Sequence, residues 1–177
     1  MADAADILTP EIRGWIGRST PPTPLLVMGD SDIRRYADST GDRNPLWFDD
    51  GYAREAGYKQ RLLPPTLVGW VPFSFKENPD GTSTDTTDLR RQVPVPPNYT
   101  NVRNAGSETE WLSPAYPGEQ LSSQSVITDI TARAGRFGVG IYISQEEQVL
   151  NPAGEIVLRR RHTIALFPEK KIAAETK

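Results

Sequence analysis

Residues 41–47, "GDRNPLW", place a carboxylate, a carboxamide and an indole within one short run. The Asp42 carboxylate can accept a proton or hold a water, Asn44 can donate and accept, and the Trp47 indole can donate one hydrogen bond but accept none. Set beside an apolar cavity, such a group suits general acid–base work. The same residues also suit a purely structural role. Asp and Asn favour Asx turns and helix caps, and a large aromatic such as Trp47 more commonly buries area in a core or interface. Asp42 and Asn44 are therefore either a reaction centre or the turn that precedes the next helix.

Other candidates carry less. His162 is the only histidine and stands in "LRRRH", where strand alternation sets Arg159 and Arg161 on one face and Arg160 with His162 on the other. Such arginines suit phosphate groups, although a charged strand face is more often solvated and a lone histidine more often hydrogen-bonded in place. "RAGRFGVG" has glycines near dinucleotide-site spacing but falls in an expected turn and strand, without the strand–turn–helix context that chemistry requires. "NYT" at 98–100 matches a glycosylation sequon, which has no meaning in a cytoplasmic chain.

Composition excludes several classes. With no cysteine there is no disulfide, thiolate zinc site or cysteine nucleophile, and a single histidine leaves no multi-histidine metal site within one chain. A formal charge of −3, with 20 basic and 23 acidic residues spread along the chain, gives no nucleic-acid footprint. No apolar run approaches the roughly 20 residues needed to span a bilayer, and the first residues lack a signal-peptide pattern. These features describe a cytoplasmic protein, and 177 residues suit one domain.

Several elements must position the turn. "DILTPEIRGWIG" has helical apolar spacing with Pro10 near a helix start, and the proline-rich "STPPTPLLVMG" suits an extended edge strand. "DSDIRRYADSTGD" reads as a helix capped by Asp30, Ser31 or Asp32, with Ile33, Tyr36 and Ala37 inward and Gly41 as its stop. A second short helix should be capped by Asp49 or Asp50 and end at Gly57. "LPPTLVGWVPFSF" predicts a buried helix opened by Pro64 and Pro65 and kinked or ended near Pro72. Residues 76–101 form a long polar loop, functional or disordered. After Val102, four strand-like segments separated by "PG", "AG" and "NPAG" predict an antiparallel meander. Helices followed by strands give an α+β class. One domain over 1–177 is expected, with a helical extension over about 1–20 and a solvated tail over about 169–177.

In this order the elements resemble the hotdog fold, a curled antiparallel sheet wrapped around a central helix. The resemblance runs from about Leu25 to Phe167 and is most specific in "YADSTGDRNPLW", which is similar to the hydratase motif of the MaoC-like (R)-specific enoyl-CoA hydratases and dehydratases. The later "AGSETEWLSPAYPGEQL" and "ITDITARAGRFGVGIYISQEEQVLNPAGEIV" look more like one branch, the N-terminal dehydratase half of double-hotdog and heterodimeric members.

The resemblance implies a role for each matching position. Hydrating an enoyl thioester needs a base for water, an acid for the α-carbon and a donor for the enolate oxygen. The acid falls on Asp42 and the turn-ordering amide on Asn44, but the motif's histidine position holds Trp47. The family's oxyanion glycine corresponds to Pro65, which has no N–H; a register shift of one would give that place to Thr66. The resemblance therefore implies a hydratase or dehydratase subunit, with a partner hotdog chain supplying the Asp/His pair and the helix N–H. This chain would supply half the interface and the acyl-tunnel walls, from "LPPTLVGWVPF" and the 76–101 loop, with Trp47, Pro65, Thr66, Leu67 and Trp70 binding a thioester carried on coenzyme A or an acyl carrier protein. A self-sufficient homodimeric hydratase or thioesterase, and a non-catalytic acyl-CoA-binding protein, are the alternatives.

Overall fold

A computed structural model describes residues 7–70 and 88–169. Helix α1 spans Pro10–Arg13, α2 Asp30–Thr40, α3 Asp50–Glu55 and α4 Pro65–Trp70; 3-10 turns occupy Pro45–Trp47 and Leu89–Gln92. Strand β1 is Thr23–Pro24, β2 Asn101–Trp111, β3 Ser122–Gly135, β4 Gly138–Leu150 and β5 Ile156–Phe167. Pro72 and residues 76–87 of the expected loop lie outside the described residues, as does the expected tail from residue 170.

The strands form one antiparallel sheet in the order β1-β3-β4-β5-β2. This corrects the expected meander. β3, β4 and β5 are joined as hairpins, but β2 lies outside β5 and the segment after it crosses the sheet before β3. The "PG" at 117–118 therefore serves a crossover, with Gly118 N–H bonded to Met28 O at 2.8 Å. Local turn chemistry cannot tell a hairpin from a crossover. β2 is left as an edge strand, exposed along most of its length.

Period-two alternation is clearest in β4. Ile141, Ile143 and Val149 are fully buried, whereas Tyr142, Ser144 and Gln148 between them are half-exposed. The buried face carries two apolar clusters. One gathers Ile33, Trp47, Leu63, Val68, Val149 and Leu158; the other gathers Ile12, Leu89, Tyr99, Ile127, Ile143 and Leu166.

α2 forms because Ile33 and Ala37 give it a buried face and both ends are satisfied. Gly29, not an acidic residue, is its N-cap, and Asp32 instead turns back so that its carboxylate accepts the Gly29 N–H at 2.9 Å. Tyr36 is half-exposed rather than inward. Gly41, at φ 72°, ends the helix in the left-handed region, with its N–H on Ala37 O. α3 is capped as expected by Asp49, whose Oδ1 accepts from Gly51 and Tyr52 N–H.

α4 begins at Pro65 and rests on β5. A Cβ on Gly69 would lie 3.0 Å from Arg160 Nη2 and 3.5 Å from Leu158 Cδ1, so a larger residue there would have to displace the Arg160 guanidinium by a few tenths of an ångström. Arg160 donates to Gly69 O at 2.5 Å and faces Glu147 at 3.6 Å. The expected burial of α4 holds for Val68 and Gly69 only: Pro65 and Thr66 are exposed, and Trp70 is 66% exposed. A run of apolar letters cannot show that a six-residue helix touches the sheet along a single stripe.

Candidate functional site

The left-handed end of α2 delivers Asp42 into a closely bonded turn. Asp42 Oδ1 accepts the Asn44 N–H at 3.1 Å, and Asn44 Oδ1 accepts the Leu46 N–H at 3.0 Å, capping the 3-10 turn that Pro45 opens. The Trp47 Nε1–H donates to Asp42 Oδ2 at 3.0 Å. Both carboxylate oxygens thus accept from groups within the turn. The indole, 8% exposed, has used its one donor.

This is the Asx turn that the sequence offered as the structural reading, with the indole added as a second clamp. A water held on the Asp42 carboxylate would find no imidazole in this turn to share it. His162 does not fill the gap. It lies on β5 opposite Ser107 of β2 and Gln145 of β4, with Nε2 3.1 Å from Asn104 Oδ1, and shares no partner with Asp42 among the described residues.

Burial holds the His162 imidazole below its ordinary pKa; Arg90 and Arg160 push the same way and Asp88 opposes them. The fold therefore favours the neutral ring. The unfolded chain, titrating near about 6.5, binds more protons between that value and the folded one. The stabilisation from neutral His162 is present above about pH 6.5 and lost as pH falls through the folded pKa. Because this is the only histidine, its ring NMR signal should titrate with a midpoint below about 6.5, and His162→Gln should flatten the loss of stability from pH 7 to 5. A midpoint above the ordinary value would contradict this placement.

Beside the turn lies an apolar cleft of about 250 Å³. Trp47, Leu62, Leu63, Pro65 and Val68 form one wall, and Trp111 through Ala115 with Val157 form the other. Of the residues expected to bind substrate, Trp47 and Pro65 line this cleft. Thr66 instead hydrogen-bonds Tyr36 through its hydroxyl, Leu67 is half-buried against the neighbouring core, and Trp70 is exposed. α4 opens on Pro65, so the first backbone donor of the helix is Thr66 N–H.

The wall from 111 to 115 was not foreseen. Leu63 N–H bonds Ala115 O at 2.9 Å, bringing "WLSPA" across from α4. The Trp111–Leu112 pair ending an otherwise polar strand was the available signal, since it leaves two large apolar side chains, 48% and 49% exposed, at the cleft mouth.

Among the described residues no cluster of three or more His, Asp or Glu side chains could hold a metal, and no helix is long and apolar enough to cross a membrane. The three arginines of β5 face carboxylates: Arg159 meets Glu110 and Glu146, Arg160 meets Glu147, and Arg161 meets Glu146.

Comparison with known proteins places the architecture. Residues 14–160 match the family model described as FAS1-like, dehydratase domain region. A UPF0336 protein of Saccharopolyspora erythraea is 29% identical over 152 residues, covering 86% of this chain and 88% of that protein. A probable enoyl-CoA hydratase alpha subunit of Thermomonospora curvata is 24% identical over 166 residues, 90% of this chain and 52% of the relative. In structure the chain is similar to one in the ChsH1–ChsH2 complex of Mycobacterium tuberculosis, with a TM-score of 0.73, 21% identity, and coverage of 93% and 97% of the two chains. The fold is the hotdog fold, as the resemblance implied.

Proposed function

The chain belongs to the FAS1-like dehydratase region family, and from that premise we propose that it is the non-catalytic subunit of a heteromeric enoyl-thioester hydratase or dehydratase. The reaction is reversible addition of water across an α,β-unsaturated acyl thioester. A second hotdog subunit supplies the base, the acid and the oxyanion donor, while this chain supplies an acyl-binding wall. The thioester is carried on coenzyme A or acyl-carrier-protein pantetheine, no metal or redox cofactor takes part, and the complex works in the cytoplasm.

The observation that carries this reading is the Trp47–Asp42 hydrogen bond. Indole occupies the place where a second proton-handling group would stand, and it fastens the carboxylate instead of sharing a water with it. Proline at the head of α4 supports the same conclusion, because it removes an N–H that would polarise a thioester carbonyl.

Two features favour a partner along β2. Its outer edge offers an 11-residue strand with no neighbour among the described residues, a ready template for strand addition. Trp111 and Leu112, at the end of that edge, also form the cleft mouth, so a subunit docked there would close the cleft.

The proposal is tested by Asp42→Asn in the assembled complex. Asn keeps an oxygen for one internal donor, so the turn persists while any base is removed. Hydration of crotonyl-CoA should stay within about twofold, whereas loss of the roughly 10²-fold or more that a general base provides would assign catalysis to this chain.

A further inference from the structure

Trp47 also lines a second, smaller cleft of about 130 Å³, shared with Asp30, Ile33, Arg34, Phe48 and Arg61. Its chemistry differs from that of the apolar cleft. Arg34 and Arg61 line it together with Asp30, while Ile33, Trp47 and Phe48 supply apolar surface, with Phe48 40% exposed.

The two arginines are in different states. Arg61 is fixed: its Nη2 donates to Asp30 Oδ1 at 2.7 Å and its backbone N–H to Asp50 Oδ1 at 2.9 Å, leaving its other guanidinium N–H groups unspent. Arg34, one helical turn after Asp30 on α2, makes no ion pair or hydrogen bond through its guanidinium among the described residues. With Asp30 counted, the lining carries two cations and one anion, a net positive cleft.

We propose that this cleft is an anion subsite for the phosphate of an organic phosphate ester. Arg34 makes the principal contact, Arg61 assists, and the ester's organic part lies against Phe48 and Trp47. Guanidinium N–H groups match phosphate oxygens in paired geometry, and Arg61, held by Asp30, is already oriented. The space suits a phosphate group rather than an acyl chain. Trp47 lies on both clefts, so the subsite adjoins the apolar wall assigned to the acyl group. The identity of the organic part as a pantetheine arm rests on the proposed function; the anion site does not.

The test is calorimetric titration of the full chain with 4′-phosphopantetheine, coenzyme A, pantetheine and inorganic phosphate. Both phosphorylated pantetheine compounds should bind at least roughly tenfold more tightly than pantetheine, and Arg34→Gln should erase most of that difference, as loss of a charge-assisted hydrogen bond does. Arg61→Lys, which keeps the charge near Asp30, should weaken phosphopantetheine binding less. Equal binding of pantetheine and phosphopantetheine, or no effect of Arg34→Gln, would overturn the subsite. Inorganic phosphate binding as tightly as phosphopantetheine would overturn the organic ester. Hydration by the complex separates the two proposals: phosphate-dependent binding without hydration removes the function and leaves the subsite, and hydration without phosphate-dependent binding does the reverse.

Discussion

Isolated from any partner, the chain should hydrate crotonyl-CoA no faster than buffer, and Trp47→His alone should not produce efficient hydration. The substitution places an imidazole five residues after Asp42, a spacing at which the native indole already reaches the carboxylate, so a base pair becomes available in principle. The oxyanion donor does not. Pro65 still opens α4 without an N–H. General acid–base catalysis supplies about 10²–10⁴-fold and a single oxyanion-hole donor about 10²–10³-fold, so restoring the first alone leaves the rate at least roughly 10²-fold below that of a complete site. Trp47 is also a wall of both clefts and is buried, so the variant should lose about 3 kcal/mol of stability. Its melting curve should be recorded beside the assay. Efficient hydration by Trp47→His alone would mean that Thr66 N–H polarises the carbonyl and that Pro65 has no such consequence.

A stability loss of similar size is expected from Leu158→Ala. Leu158 is fully buried on β5, paired to Val149 of β4 and Trp111 of β2, and its Cδ1 lies beneath Gly69 of α4. Sheet and helix both close on this side chain, so neither can relax far into the space it would leave. Truncation should cost about 3 kcal/mol and lower the melting temperature by about 6–12 °C. Leu158→Met, which nearly conserves volume, should cost under about 1.5 kcal/mol. A loss below about 1 kcal/mol for the alanine variant would mean that α4 is not seated on β5 as described.

Much of this was legible because the signals were local. Gly41 had to end α2, one of Asp49 and Asp50 had to cap α3, and the alternation of Ile141, Ile143 and Val149 had to make a half-buried strand. The Asx turn at Asp42 was likewise written in adjacent residues. What escaped depended on distant pairings. Nothing in "NVRNAGSETEW" states that it pairs with β5 rather than β3, and nothing in "WLSPA" states that Ala115 will accept from Leu63. The indole–carboxylate bond lies between these cases. Its spacing was visible as a departure from the hydratase motif, but its hydrogen bond required the 3-10 turn of Pro45–Trp47 to swing the indole back onto Asp42.

Under the proposed function this chain forms half of a hydratase and its partner does the chemistry. The most direct measurement is native mass spectrometry of the chain purified from its source cells, with enoyl-CoA hydration assayed on the same fraction. The expected result is a complex with a second hotdog protein, active while both are present and inactive when this chain is separated. An active homo-oligomer of this chain alone would contradict it and return Asp42 to the reaction.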